Sequence, residues 1–324
     1  QQGLVLIIFL WIIMLGIILV TAIAANIRLS AITVINQQQA LKQWSATLEA
    51  VSKAHLEIIY NKTKGSSVKL TTAFQEKNSE NSFDGRSLDL LYKTPEELNV
   101  RITDISGKIN IAKLPKNKLE QLLIHITGES TNQLSSLIDA WLDWQDQDNL
   151  KRLNGAETEY YNKQTPAYEA RNGDFVSVDE VLLIKGFADV FSEFNLDSVF
   201  SLYGNKQGRI NPNTASKNVL LMIPGIDEQA ADAIVSSRET HVFSSLNQLD
   251  RLLSPSSMAI TKSWFFLGVS NYYAIVIYPR EYENSGEKEQ VIIAYQEIVK
   301  FDQEKKEMLV LQVNPYAEIR ISYH

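Results

Sequence analysis

Residues 3–25 read GLVLIIFLWIIMLGIILVTAIAA, and no side chain in this run carries a charge. As an α-helix rising about 1.5 Å per residue, it covers the roughly 30 Å hydrocarbon core of a bilayer. Residues 1–25 are therefore expected to form a transmembrane helix. A secretory signal peptide is the competing reading, because Ala22-Ile23-Ala24 has the small-x-small form of a cleavage site. The apolar run is too long for the core of such a signal, no Lys or Arg precedes it, and the chain opens on Gln1 rather than Met. A retained membrane helix accounts for these features better.

Beyond the run, helical periodicity continues from Asn26 to about Tyr60. Ile27, Ala31, Val34, Leu41, Trp44, Leu48, Val51, Leu56 and Ile59 form an apolar stripe between polar positions such as Gln37-Gln38-Gln39. This half of the helix is expected to be soluble, with its stripe packed on the protein's own globular part.

The remaining chain has ordinary globular composition. In the 324 residues, 45% are hydrophobic and 21% charged, enough for two or three domains. The formal net charge of -7 argues against a large nucleic-acid footprint, which needs clustered Lys and Arg. There is no cysteine, which excludes a thiol nucleophile, a Cys-ligated zinc and any disulfide. A cysteine-free domain in an oxidising compartment depends on its core or on a metal ion for stability.

Polar residues rich in Ser, Asn, Lys and Glu fill Lys62 to Asp84 and read as a loop. Leu98 to Asp104 alternates like a half-buried strand, and Ile105 to Ile111 is expected to add a turn and a second strand, making a hairpin. Helical patterns dominate from Lys116 to about Arg251, beginning with Lys116–Thr127 and Asn132–Trp144. Strands return at Tyr272–Tyr278, Gln290–Lys300 and Met308–Val313, with polar links at Glu281–Lys288 and Asp302–Glu307. The order of helix, strands, helices and strands implies an α+β fold with a helical domain inserted into it. The expected divisions are 1–25 for the membrane half of the helix, 26–112 for the first part of the α+β domain, 113–262 for the insert and 263–324 for the last strands.

Two constellations could carry chemistry. Asp143, Asp146 and Asp148, followed by Gly155-Ala156-Glu157, gather carboxylates in one loop. With Asp146 as the first position of a calcium loop, Asp148 falls third and Glu157 twelfth. Leu150 and Lys151 occupy the fifth-ligand and turn-glycine positions, so this is not an EF-hand. Carboxylate, carbonyl and water oxygens in a long loop can still hold a hard cation such as Ca2+; the competing reading is a solvated acidic loop.

The second constellation is Ile223-Pro224-Gly225-Ile226, which has the form of a helix-hairpin-helix turn; Val181 to Phe187 looks like a weaker copy. In DNA-binding examples the backbone N–H groups around the glycine contact a phosphate. Here Asp227, Glu228 and Asp232 flank the turn and cations are sparse, so a structural hairpin is expected. A membrane-anchored DNA-binding protein of a DNA-uptake system is the alternative. The four histidines are scattered, no HExxH or GxSxG occurs, and the chain is read as a non-enzyme.

These residues resemble the GspK family, the large minor pseudopilins of bacterial type II secretion systems. The resemblance rests on the initial apolar helix, Asp104-Ile105-Ser106-Gly107-Lys108-Ile109-Asn110, Asp143-Trp144 with Asp146 and Asp148, Gly155-Ala156-Glu157, Asn172 to Glu180, and Asn211-Pro212-Asn213-Thr214-Ala215. It implies a pilin-like fold, a long N-terminal helix on an antiparallel sheet, with a large inserted α-helical domain containing helix-hairpin-helix-like units. It implies a single-pass inner-membrane protein with its body in the periplasm. It also implies prior cleavage by prepilin peptidase and a methylated Gln1. Pilins generally carry a glutamate at the fifth position, which meets a neighbouring subunit's amine; here Val5 stands there, as is typical of this family. The implied role is to initiate the pseudopilus and cap its tip with minor pseudopilins I and J, above further pseudopilins. The resemblance extends to calcium in the insert, with Asp146, Asp148 and Glu157 as ligands and Asp143 and Asn172 as further candidates.

Overall fold

The computed structural model describes residues 2–63, 83–88, 90–128, 132–284 and 289–322, and the side chains of most of these. Gln1 and most of the polar stretch before Asp84 lie outside them, as does the second half of the expected link at Glu281–Lys288. Helix α1, Gln2–Thr63, is one uninterrupted helix of 62 residues. From Phe9 it is apolar and long enough to cross a membrane, with a mean hydropathy of 2.5 in its most apolar window.

Only the last third of α1 packs on the protein. Ala50, Val51, Ala54 and Ile58 are buried, whereas Ile27, Val34, Leu41, Trp44 and Leu48 are all exposed. The expected stripe is therefore corrected. From Ile27 to Leu41 the stripe is exposed among the described residues, Trp44 touches the Tyr295 ring edge-on at 5.9 Å, and the contact face is set by small residues one turn apart, Ala50 and Ala54, which let the helix approach the sheet closely.

That sheet has five strands. After β1, Asp84–Ser87, and β2, Leu98–Asp104, the chain leaves it and returns only at β5, Tyr272–Pro279, then β6, Glu289–Asp302, and β7, Glu307–Ser322. The order is β1-β2-β5-β6-β7, antiparallel at every junction. Val100, Ile102, Tyr273, Ile275, Ile277 and Val299 alternate inward and meet α1. Buried Glu297 on β6 takes a contact from His55 of α1 and the Tyr295 hydroxyl at 2.9 Å, which adds a polar tie between helix and sheet. The outer edge, β7, carries Pro315 and irregular pairing near Ala294 and Ile298, features that discourage further strand addition.

Between β2 and β5 lies a helical lobe with its own core, running from Ile109 to Phe265. Its main helices are α2, Lys116–Thr127, and α3, Asn132–Gln145. The short α4, Thr158–Tyr161, α5, Phe187–Phe191, and α6, Leu196–Val199, follow; β4, Phe200–Ser201, comes next. Then come α7, Lys217–Leu221, α8, Glu228–Thr240, and α9, Met258–Ser263. Trp141 of α3 stacks on Phe187 at 5.3 Å and tilts against Phe175 at 5.0 Å, which gives the core its aromatic centre.

The hairpin expected at Ile105–Ile111 does not form. Ile105–Gly107 is a single 3-10 turn, and the short β3, Ile109–Asn110, pairs in parallel with β4 rather than with β2. The cause is local. The Asp104 carboxylate accepts from the Ser106 N–H at 2.7 Å, and the Asn110 side chain caps a second 3-10 turn by accepting from Lys113 N–H at 3.1 Å. The same Asp104 accepts from the Ser270 N–H at 3.0 Å and its hydroxyl at 2.6 Å. One buried carboxylate thus ties the point where the chain leaves the sheet to the point where it returns. Asn211 N–H donates to Ser106 O at 2.8 Å, and Gly107 lies against the Thr214 backbone. Two separate parts of the family pattern, Asp104–Asn110 and Asn211–Ala215, meet at this junction.

Candidate cation centre

The acidic loop is built on the end of α3. Asp143, in its last turn, is fully buried, and Asp146 follows three residues on, which puts both on one side of the helix end. The chain then folds back over this end. Asn154 N–H donates to Asp139 Oδ2 at 3.1 Å, and Arg152 N–H to Asp143 Oδ2 at 3.2 Å. Gly155 passes so close that an added Cβ would lie 1.9 Å from Asp143 Oδ2, so only glycine lets the chain return here. The return delivers Glu157 to the start of α4.

Ligand atoms from Asp143, Asp146 and Glu157 lie within 4.8 Å of one another. Arg152 Nη1 donates to Asp143 Oδ1 at 2.6 Å and to Asp146 Oδ2 at 2.5 Å, and these contacts raise its pKa further. Glu157 gains no such partner. It is 4% exposed, and both its carboxylate oxygens, like Asp146 Oδ1, are buried without a hydrogen bond among the described residues. Burial, and then the charges of Asp143, Asp146 and Asp148, push its pKa up to about 7. Three carboxylates face one guanidinium, and an orphaned buried carboxylate is costly unless it is protonated or neutralised. All three offer hard oxygen, the donor set of a cation such as Ca2+.

The folded-state value exceeds the ordinary carboxylate value, so folding favours the protonated acid. In chelator, stability is expected to fall as pH rises from about 4.5 to about 7, because the unfolded chain ionises first. Thermal unfolding in chelator at pH 5 and pH 8 tests this, and equal stability at the two would contradict it. A bound divalent cation is expected to remove the loss.

Other sequence-selected residues lie outside the group of three. Asp148 is exposed and accepts from Leu150 N–H at 2.8 Å; it acts on Glu157 through its charge. Asn172 adopts a left-handed φ of 47° and donates to Asn149 at 3.1 Å, while its Oδ1 is buried without a hydrogen bond. Val5 falls within α1, and Gln1 lies outside the described residues. Sequence reasoning missed Arg152, although its position between Asp146 and Glu157 was a usable signal.

The helix-hairpin-helix turn is covered. Gly225 has φ of 85°, and an added Cβ would approach Ser257 Cβ to 2.4 Å. Ser257 donates to Gly225 O at 3.2 Å and Thr261 to Pro224 O at 2.8 Å, so α9 packs on the turn a phosphate would need. The nearby Lys217 is engaged by Glu228 and Asp232, each at 2.7 Å. The Asp104 carboxylate is held by Ser106 and Ser270, and the Asp143 carboxylate by Arg152.

A long N-terminal helix on an antiparallel sheet, interrupted by a helical lobe, defines a pilin-like fold with an insert. Residues 98–191 match the family model for type II secretion system protein K, and residues 205–254 match the helix-hairpin-helix motif. The type II secretion system protein K of Pseudomonas aeruginosa is 28% identical over 207 residues. That match takes in 61% of this chain and 60% of the relative's length. A chain in the crystal structure of the GspK-GspI-GspJ complex from the enterotoxigenic Escherichia coli type 2 secretion system shares the fold. Its TM-score is 0.53 at 14% identity, over 86% of this chain and 98% of that one. The chain matches the family of type II secretion protein K.

Proposed function

We propose that this chain is a minor pseudopilin that initiates the type II secretion pseudopilus and caps its tip. The observation that carries the reading is the helical lobe inserted between β2 and β5 of a pilin-like frame. A lobe of that size hinders another subunit from stacking above. The similarity to protein K, and to a fold found in a complex named for three such subunits, supports minor pseudopilins I and J as partners, with further pseudopilins below. The uncovered apolar stripe of α1 supports the same reading, since a helix exposed along Ile27, Val34 and Leu41 needs a lipid or protein neighbour.

In this proposal α1 anchors the chain once in the inner membrane, the body lies in the periplasm, and prepilin peptidase processes the N-terminus before Gln1 is methylated. Val5 offers no carboxylate to a subunit above, as suits a terminal position. The divisions at 25, 112 and 262 are retained as working boundaries, and the role is structural rather than enzymatic. Asp143, Asp146 and Glu157 hold calcium, Asp148 adds its charge to the group, and Asn172 bonds to Asn149 of the same loop; the orphaned Glu157 oxygens support this over a solvated loop. Calcium there cross-links the end of α3 to the start of α4 and supplies no chemistry beyond charge neutralisation. DNA binding is disfavoured by the covered hairpin. Reconstitution of the full chain in detergent with the two smaller pseudopilins tests the proposal.

A further inference from the structure

We propose that Arg152 is the built-in counter-cation of the carboxylate cluster and that a divalent cation displaces it on binding. The inference rests on the cation-site reading above and concerns what this chain's own residues do there. Glu157 is the independent sign of a ligand: it is 4% exposed, and neither carboxylate oxygen has a hydrogen bond among the described residues. Arg152 does not satisfy it. A single nitrogen, Nη1, spans Asp143 Oδ1 at 2.6 Å and Asp146 Oδ2 at 2.5 Å, so it engages two of the three carboxylates that a shared cation would draw on.

The two positive groups compete for the same two aspartates. A guanidinium in contact with both aspartates stands within a few ångströms of an ion held by the same aspartates and Glu157, in a buried setting where like-charge repulsion is weakly screened. The guanidinium is the mobile member, since its long side chain is 38% exposed and can swing outward, whereas Asp143 is fixed at 0%. Arg152 therefore holds the loop closed when the cation is absent and yields its place when the cation arrives.

The test uses the full chain in detergent, stripped with chelator and titrated with Ca2+, for the wild type, Arg152→Gln, Arg152→Lys and Glu157→Gln. Arg152→Gln is expected to bind Ca2+ about tenfold more tightly than the wild type, because the lost charge-assisted hydrogen bonds compete only in the empty state. Its melting temperature is expected to be lower in chelator and equal to the wild type with Ca2+. Arg152→Lys, which keeps the charge on a shorter side chain, is expected to fall between them. Glu157→Gln is expected to weaken binding. If Arg152→Gln binds no more tightly than the wild type, or loses equal stability in both states, the exchange is overturned and Arg152 is a fixed brace. If the wild type itself binds no Ca2+, the cation-site reading fails first, and the exchange with it.

Discussion

Asp143→Ala is expected to cost the helical lobe about 3 kcal/mol in calcium-free conditions, and to abolish the stabilisation proposed for bound calcium. Asp143 is fully buried and accepts from both the side chain and the backbone of Arg152. Removing it leaves the Arg152 backbone N–H without its acceptor and the guanidinium with Asp146 alone, which is why the cost exceeds that of a surface ion pair. Because Arg152 is 38% exposed, water recovers part of this, and the loss belongs at the lower end of the range for broken buried pairs. In chelator, the unfolding transition of the lobe is expected to drop by roughly 6–12 °C. Asp143→Asn keeps the shape and separates charge from packing. Calorimetry with and without calcium provides the readout, and a variant as stable as the wild type in chelator would contradict the assignment of Arg152.

The second large effect is expected at the junction between lobe and sheet. A Cβ on Gly107 would lie 2.5 Å from Thr214 O and 2.6 Å from Thr214 C, against backbone that a side-chain rotation cannot clear. Gly107→Ala should force the 3-10 turn away from the Asn211–Ala215 segment at a cost of about 3 kcal/mol. Asn211 N–H would then lose Ser106 O, and the Ser106–Thr214 hydroxyl contact of 3.2 Å would open. The expected signature is early loss of lobe attachment, seen as proteolysis near Ser106 and Ser270 while the sheet resists. Gly16→Ala is the control, because nothing lies within 4 Å of that position. Equal proteolytic patterns in the two variants would show that the contact does not hold the lobe.

Much of the architecture was legible because its signals are local. The apolar run, the alternation of β2, β5 and β6, and the periodicity of α2 and α3 each depend on near neighbours, and those elements form close to the expected positions, whereas β7 continues past the expected Val313 to Ser322. The misreadings share a different cause. Ile105, Ile109 and Ile111 alternate as strand residues do, but Asp104 and Asn110 recruit nearby N–H groups and close 3-10 turns, while β3 finds its partner in distant β4. Along α1, hydrophobicity pointed to Leu41, Trp44 and Leu48. Burial follows close approach instead, which selects Ala50 and Ala54.

The candidate centre was half legible. Its acids were visible as a cluster of types, yet only the return of the chain over α3 distinguishes Asp143, Asp146 and Glu157 from Asp148. Arg152 stayed hidden because a cation in an acidic loop reads as surface charge until geometry puts its nitrogen on two carboxylates.

The measurement that bears most directly on the account is co-assembly. The full chain in detergent is mixed at micromolar concentration with the two smaller minor pseudopilins of its own system, in calcium, and resolved by size and mass. A stable complex containing all three subunits, with no further copy of this chain bound above its inserted lobe, is the predicted result. No association at that concentration, or an open-ended self-assembly of this chain alone, would contradict its place at the tip.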